Sequence, residues 1–590
     1  MTTAPNAVQL LESLEGMRVI VPSLTVVGPT LAGTANEAAA TSTTSGVFYG
    51  VVTGVARPFR EPGIDVNDPL PPGSPCCIPR FDGNPERLRI DSDAQPGTIP
   101  LDLTSGVTVT GMVGPLDYTF RTYTILPDPG SATVATANAV FTPAAPASAN
   151  EIVVAGFNME RFFDTVNDPA VDDVALTAAA FERRLSKASL TFRNVLRLPD
   201  VVGVTEMENL STLQTVASRI NADVIAAGGA DPGYTAYLVE GNDIGGIDVG
   251  FLVKSNRVTV LNVRQEGKDA SFVDPTDASV DLLNDRPPLV LDARVVRPNA
   301  SSFDFTVVIN HLRSLNGVGD PVDGPRVRAK RRAQAEYLAS LIQSLQAANP
   351  AARIVAIGDF NAFDVSDGYV DSIGTIKGAP APFTEVTLAS PDLVNPNLTN
   401  LASWLPTEQR YSYVFDGNAQ VLDHALVNAA MLPWVSRFGY TRSNADFPDT
   451  ARNDGTRPER LSDHDASVTY LAIGTAKLSA RLLNQTPRSA SGQMTLTLRI
   501  ANLGGGNARG IVVDQILLKT LNGTGAVTLA TPAPIQVGDI AAGQSVDVAL
   551  TLNVPTGLVR FSVTQNGSYA DAGATGHHFS IGLAVTSRSD

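Results

Sequence analysis

A chain of 590 residues is too long for one core, so two to four domains are expected. Hydrophobic residues make up 43% and charged residues 17%, which fits a folded globular protein and excludes a disordered one. The net charge of −16, from 43 basic and 59 acidic residues, excludes the basic footprint of a tight, static nucleic-acid binder.

No run approaches ~18 unbroken apolar residues, so no stable membrane insertion is expected. The start, Met1-Thr-Thr-Ala-Pro-Asn, lacks the basic and apolar stretches of a secretory leader. The expectation is a cytoplasmic protein or one whose leader has been removed. Residues 1–145 read as β structure, because Val-, Thr- and Ile-rich runs at 17–21, 47–55 and 107–113 are separated by Gly, Pro and Asp. Residues 57–98 read as a long irregular insertion. It holds the only cysteines, Cys76 and Cys77, whose adjacency points to free thiols and rules out a cysteine-built zinc centre. The Ala-Pro-rich stretch 142–149 reads as a linker.

From 150 to 472 strands and helices alternate, as in an α/β layered domain. Apolar runs of strand length fall at 152–157, 201–205, 249–253, 305–309, 353–357, 421–427 and 466–471, and amphipathic helices are expected over 173–196 and 326–345. Residues 475–590 carry only strand-like runs divided by Gly-rich turns, which predicts a plain β-sandwich.

The polar residues fall where strands end. Apolar runs lead straight into Asn158-Met159-Glu160, Glu206-Met207-Glu208-Asn209, Asn310-His311-Leu312-Arg313-Ser314, Asp359-Phe360-Asn361 and Ser462-Asp463-His464, and a sixth pair, Asp423-His424, opens a strand. Strand ends on one sheet edge converge, so these groups can share a cleft. Three of the five histidines lie in these clusters. Oxygen ligands from Asp, Glu and Asn favour Mg²⁺, Mn²⁺ or Ca²⁺ over zinc, and histidines beside carboxylates suit proton transfer or phosphate contact. Over 151–472 there are 28 Lys and Arg against 41 Asp and Glu, a balance that suits a catalyst meeting phosphate through divalent cations. Patterns for a Walker loop, a zinc-protease helix or a serine-hydrolase elbow are missing.

In this order, Phe-Asn-x-Glu, Glu-x-Glu-Asn, Asn-His-Leu-Arg-Ser, Gly-Asp-Phe-Asn, Leu-Asp-His and Ser-Asp-His, the segment 150–472 resembles the endonuclease/exonuclease/phosphatase superfamily. Tyr411-Ser-Tyr-Val-Phe-Asp-Gly-Asn before Leu422-Asp423-His424 resembles its bacterial extracellular nuclease branch. The resemblance implies a four-layer α/β/β/α, DNase I-like sandwich. It implies Asn158, Glu206 and Asp463 as ligands of a divalent metal, Mg²⁺ first and Mn²⁺ or Ca²⁺ as alternatives. It implies Asp359 and Asn361 on the attacking water and phosphate, His464 on the phosphoryl oxygen braced by Asp423, and His311 as general acid or phosphate ligand. Asn310, Arg313 and Arg286 are implied substrate contacts, Asp248 a candidate to orient His311, and His424 either a catalyst or a support. Thr205 departs from the glutamine usual before the metal-binding glutamate.

Residue types alone give other readings. Glu208 and Asn209 suit a helix cap, Asp465 suits a strand start, and the run Arg326, Arg328, Lys330, Arg331, Arg332 suits a solvated helix start or a nucleic-acid contact. The N-terminal region resembles the OB-like domain, and the C-terminal one the Ig-like modules with a surface or matrix role, of exported bacterial enzymes; His577-His578 reads as a loop. The expected function is a secreted bacterial nuclease cutting DNA or RNA with low sequence preference. The alternatives are a phospholipid or inositol-phosphate phosphoesterase, or an inactive adhesion protein; oligomeric state is left open.

Overall fold

The computed structural model describes residues 7–297, 302–557, 559–571 and 574–587. The Glu151–Phe162 strand is buried on both faces as far as Met159 and apolar over 152–157, and such a run requires cover on both sides. It pairs in parallel with Val201–Met207, in a six-stranded sheet ordered Tyr234–Leu238, Asp248–Lys254, Val201–Met207, Glu151–Phe162, Ser467–Ala472, Val435–Tyr440. A second six-stranded sheet runs Thr259–Gln265, Leu289–Val295, Phe303–His311, Ile354–Asp359, Asp423–Val427, Thr399–Asn400, with Phe303–His311 parallel to Ile354–Asp359.

The two sheets share a core that includes Ile152, Phe251, Leu291, Val307, Ile357 and Val427. On the other face of the first sheet, Leu185, Phe192, Leu213 and Ile220 of the helical segments pack against strand residues such as Val202 and Val204. On the second, the helices Gly324–Ala348 and Ser372–Lys377 pack through Leu338, Ile342 and Ile373. Each such buried side chain stabilises the fold by ~1.5–3 kcal/mol. The domain is thus a mixed, sheet-rich α/β unit flanked by β-rich regions.

The helix expected over 173–196 begins later, at Ala178, because Thr177 caps it by accepting the Ala180 N–H at 3.2 Å; after Leu190 it widens into a π turn, Thr191–Val195. The second helix is longer than expected, with Pro325 in its first turn. Among the described residues, no helix is long and apolar enough to cross a membrane.

In the N-terminal region Arg18–Gly28 pairs with both Val47–Val52 and Thr108–Thr119 and closes a ring over Leu24, Phe48, Ile90 and Met112. The irregular segment is shorter than expected, because Leu88–Asp91 joins that sheet. It is also fastened to the α/β domain: the Arg60 N–H donates to Ala419 O at 2.9 Å, Gly63 N–H to Ser366 O at 2.9 Å, and Asn84 Nδ2 to Asn418 Oδ1 at 2.7 Å. Gly28 and Gly417 allow the close approach, since a Cβ on Gly28 would lie 2.8 Å from Gly417 Cα. Cys76 and Cys77 are free and exposed. The expected linker is pinned as well, with Ala144 buried and its N–H donating to Val195 O at 2.8 Å.

Beyond 475, two four-stranded sheets enclose Leu496, Leu498, Ile511, Leu550 and Phe561. His577 and His578 lie on the Ala574–Thr586 strand rather than in a loop, paired with Tyr569 and Ser568 of its neighbour.

Candidate active site

The parallel pairs end side by side, and their last residues face one cleft. Gly358 makes the approach of the second pair possible: its φ is +124°, and a Cβ there would meet Asn310 O at 2.1 Å. Pairing shifts register between Asn158 and Phe162 and between Val204 and Met207. At these bulges Glu160, Arg161 and Glu206 adopt left-handed backbone, with φ of +47°, +48° and +59°. The bulges swing Glu206 towards Asn158 and bring the Arg161 N–H to Glu206 Oε2 at 2.9 Å.

Asp359 is the hub. Asn158 Nδ2 donates to Glu206 Oε1 at 2.9 Å and to Asp359 Oδ2 at 3.2 Å; Asn361 donates its N–H to Asp359 Oδ1 at 2.7 Å and its Nδ2 to Oδ2 at 3.3 Å. His311 Nε2 lies 3.6 Å from Asp359 Oδ2 and 3.8 Å from Glu206 Oε1. His464 Nε2 lies 3.9 Å from Asp359 Oδ2 and 4.0 Å from Asp463 Oδ1, while its Nδ1 donates to the fully buried Asp423 Oδ2 at 2.7 Å. The Tyr413 ring lies against the His464 ring, centroids 4.7 Å apart.

Electrostatics divides the two site histidines. Burial disfavours the charge on His464, but Asp423, Asp359 and Asp463 outweigh it and hold the imidazolium well above its ordinary range. Burial, with Arg286 and His464 adding repulsion, holds His311 well below that range, so it is neutral. Burial pushes the Asp359 carboxyl up to about 7 despite His464, and raises Glu206 with Asp463 adding to it. Burial also pushes Asp463 up, but His464 and Arg460 outweigh it and keep that carboxylate low.

Glu206, His311 and Asp359 each offer one atom within 4.8 Å of the others, and the oxygen-rich donor set fits a hard divalent cation. Asp359, Asp423 and His464 also lie this close, but Asp423 is hydrogen-bonded to His464, whose other nitrogen faces Asp359 at 3.9 Å, so that trio reads as a braced imidazole rather than a second cation site.

Asn158 reaches the acidic cluster as expected, its Nδ2 donating to the carboxylates while its Oδ1 accepts the Glu160 N–H at 2.8 Å. Several other expectations need correction. Asn310 is fully buried, its Nδ2 donating to Ile357 O at 2.8 Å, and it faces away from the cleft. Asp248 does not orient His311: its Oδ1 accepts the Gly241 N–H at 2.7 Å, and His311 Nδ1 has no partner among the described residues. His424 is no catalyst, because it sits on the opposite face of its strand. There it contacts Ala362 O through Nε2 at 2.8 Å and Asn400 Nδ2 through Nδ1 at 3.0 Å.

Arg286 reaches the cleft but is largely occupied, ion-paired to Asp243 at 2.6 Å and holding the carbonyls of His311 and Leu312. Arg313 also lines the cleft. The basic run is not free: Arg326 and Arg332 stay partly exposed but pair with Asp274 and Asp281 and with Glu336, while the buried Lys330 pairs with Asp285 and the buried Arg331 with Asp367. Asn209 does cap a helix, accepting the Thr212 N–H at 2.9 Å. Glu208 accepts from the Asp164 N–H and Thr212 Oγ1 beside it. Asp465 is structural, accepting the N–H groups of Ser443 and Asn444 at 2.9 Å.

The cleft has a volume of about 860 Å³. Sequence reasoning missed much of its lining: Arg161, Tyr413, Phe415 and Gln420, and from the N-terminal region Arg60 and Arg87. It also missed Lys187, whose Nζ donates to the carbonyls of Ala451, Asp454, Arg457 and Glu459 at 2.6–3.0 Å and fixes the loop leading to Asp463. Tyr411-Ser-Tyr was the available signal for the hairpin; the arginines, some 300 residues away, gave none.

Residues 153–448 match the model of the endonuclease/exonuclease/phosphatase family, and residues 1–138 that of a domain of unknown function. No curated protein matches the chain. Similar solved structures include an endonuclease/exonuclease/phosphatase from Bacteroides vulgatus, with 14% identity over 54% of this chain and 98% of that one and a TM-score of 0.33. A truncated Caenorhabditis elegans TDP2 is similar at 12% identity, over 54% and 97%, with a TM-score of 0.31. A mannosyl-6-phosphatase from Bacteroides thetaiotaomicron is similar at 14%, over 54% and 98%, also with a TM-score of 0.31.

Proposed function

The chain belongs to the endonuclease/exonuclease/phosphatase family, whose chemistry is metal-dependent hydrolysis of phosphoesters, and on that premise we propose that it is a nuclease hydrolysing DNA or RNA with little sequence preference. The carrying observation is the Asp423–His464 pair, which aims a buried imidazolium at the acidic cluster of Glu206, Asp359 and Asp463. A hard cation and a fixed imidazolium together suit the charge that develops on a phosphoryl group.

Glu206 and Asp463 would hold the divalent metal, with Asp359 and His311 beside them; when bound, Mg²⁺ supplies charge neutralisation at the phosphoryl oxygens. His464 donates its Nε2–H to a phosphoryl oxygen and stabilises the negative charge of the transition state. Asp423 keeps the ring protonated and oriented. Asp359, with its carboxyl near neutral range, accepts a proton from the attacking water, and Asn158 and Asn361 fix its two oxygens. Arg286 is a positioning residue that sets the His311 and Leu312 backbone.

We read the catalytic unit as the four-layer DNase I-like sandwich, spanning 150–472 between an OB-like 1–145 and an Ig-like 475–590. The proposal extends to export from a bacterial cell, with the C-terminal sandwich contacting a surface or matrix; the support is the likeness of both flanks to modules of exported enzymes.

The test incubates the full chain with plasmid DNA, RNA, bis-(p-nitrophenyl) phosphate, sphingomyelin and an inositol polyphosphate, each with Mg²⁺, Mn²⁺, Ca²⁺ or EDTA. Cleavage of DNA or RNA that EDTA abolishes is expected. Cleavage of lipid or inositol phosphate with both nucleic acids intact would overturn the nuclease assignment, and inertness towards every substrate would favour a scaffold without catalysis.

A further inference from the structure

The N-terminal domain forms one wall of the cleft. Its irregular segment carries Arg60, whose guanidinium lies between two rings, 4.2 Å from Phe81 of its own segment and 4.7 Å from Phe363 of the catalytic domain. The Nη groups donate to the Glu61 and Gly63 carbonyls, so the cation is fixed in place. Arg87 lies 5.2 Å from the Tyr49 ring centroid and donates to Asp416 O, while its buried Nε has no partner among the described residues.

Among the described residues, neither arginine has a carboxylate within ion-pairing distance. Glu61, Asp65 and Asp367 act on Arg60, and Asp65, Glu86 and Asp416 on Arg87, only from beyond that distance, and most of the aspartates are engaged elsewhere. Asp68 pairs with Arg121 at 2.9 Å and Asp65 lies 3.7 Å from the same group. Asp367 takes Arg331 at 3.2 Å and the N–H groups of Tyr369 and Val370, and Asp416 accepts from Tyr49 OH at 3.0 Å. Burial pulls Arg60 down to about 10. Two desolvated guanidiniums with no carboxylate in contact, one held between rings, are arranged for an anion that arrives with the ligand.

A third element completes the wall. The hairpin Tyr413–Phe415 with Asn418–Gln420 projects into the cleft between the two domains, and its Phe415 is 57% exposed. An exposed aromatic beside fixed cations is the pairing that single-stranded nucleic acid meets in its binding grooves, where bases stack and phosphates are neutralised.

We propose that Arg60, Arg87 and Phe415 form a second nucleotide subsite, the arginines binding a phosphate and the phenylalanine stacking a base that flank the scissile position. The N-terminal domain then makes the enzyme act on chains rather than on isolated phosphodiesters. This rests on the nuclease reading above. The hydrogen bonds that fasten the segment to Ala419, Ser366 and Asn418 keep the subsite at a fixed offset from Asp359 and His464.

The test measures kcat/KM of the full chain on oligonucleotides of two, three, four and eight residues and on bis-(p-nitrophenyl) phosphate. For the natural sequence, a rise of about tenfold or more between dinucleotide and tetranucleotide is expected. In Arg60→Gln, Arg87→Gln and Phe415→Ala, the ratio of octanucleotide to bis-(p-nitrophenyl) phosphate kcat/KM should fall about tenfold. The Arg60→Gln/Arg87→Gln double variant should also flatten the slope of log kcat/KM against log salt by about 0.7, one phosphate contact on a single strand. Because the arginines and the hairpin also meet the domain interface, urea unfolding of every variant is compared with the natural chain, and Phe415→Ala, which truncates an exposed side chain, should unfold unchanged. No length dependence in the natural chain, unchanged ratios and slopes in the variants, or equal losses on both substrates would each overturn the subsite while leaving the nuclease reading intact. A chain that cleaves no nucleic acid at all removes both.

Discussion

Replacing Asp423 by Asn isolates the charge that keeps His464 protonated. Asp423 is fully buried, its Oδ2 lies 2.7 Å from His464 Nδ1, and its Oδ1 has no partner among the described residues. Asn has the same shape, and its amide oxygen can accept the same N–H. The backbone stays fixed, since the Asp423 N–H donates to Ser412 Oγ at 3.1 Å and its carbonyl accepts from Tyr440 OH at 2.7 Å. What is lost is one negative charge about 4 Å from the imidazolium, worth ~4 kcal/mol at an effective dielectric of about 20. Asp359 and Asp463, 3.9 and 4.0 Å from Nε2, retain part of the stabilisation. At ~1.4 kcal/mol per tenfold, kcat should fall by about 10² to 10³. The assay is kcat on bis-(p-nitrophenyl) phosphate at saturating Mn²⁺, with Mn²⁺ binding followed by electron paramagnetic resonance. A loss under tenfold would refute the claim that this charge supports His464. A large loss accompanied by lost Mn²⁺ binding would show that Asp423 serves the metal instead.

His464→Ala removes the proposed phosphate contact and should lower kcat about 10²-fold or more on every substrate cleaved; near-normal turnover would contradict the assignment. His424 supplies a stability switch, because burial lowers it from 6.5 to about 4. Between those pH values the unfolded chain binds a proton that the folded one does not, so stability falls as pH drops, by about 3 kcal/mol in all. His424→Gln preserves a donor and an acceptor and should flatten this slope in urea unfolding at pH 7 and pH 4.5; identical slopes would exclude His424 as its source. Lys187→Met leaves four carbonyls without their shared donor and should cost about 3–5 kcal/mol. It should lower the melting temperature and loosen the Asp463 loop, and an unchanged melting temperature with intact activity would show that the cage is dispensable.

Strand alternation explains which motif residues were legible and which misled. Asp423 and His424 are neighbours at the start of one strand, so their side chains leave on opposite faces; Asp423 meets His464, and His424 meets the Phe360 ring, 5.3 Å away between centroids. Asn310 and His311 divide in the same way at the end of theirs, which is why an Asn-His motif delivers only its histidine to the cleft. Asp463 and His464 both reach the site because they precede the Ser467–Ala472 strand, where alternation has not begun. The helix-start pair Arg326 and Lys330 was illegible for another reason. Their partners Asp274, Asp281 and Asp285 come from an excursion some 45 residues earlier, and no periodicity encodes a contact of that kind.

The backbone shows how the two kinds of information combine. Glu160, Arg161, Glu206, Asn361 and Arg460 all adopt left-handed φ near the cleft, where a side chain costs about 1–3 kcal/mol. None is a glycine, so nothing in the sequence announces these turns. They persist because each is held by what surrounds it: the Arg161 N–H binds Glu206, the Asn361 N–H binds Asp359, and Arg460 is ion-paired to Asp449 at 3.0 Å. The regular strands bring the acids to one edge, and these strained turns aim them at a common point. The strain therefore resides at the strand ends that form the site, while the parallel pairs behind them remain regular and buried, a division that lets the fold tolerate a cluster of like charges without surrendering its core.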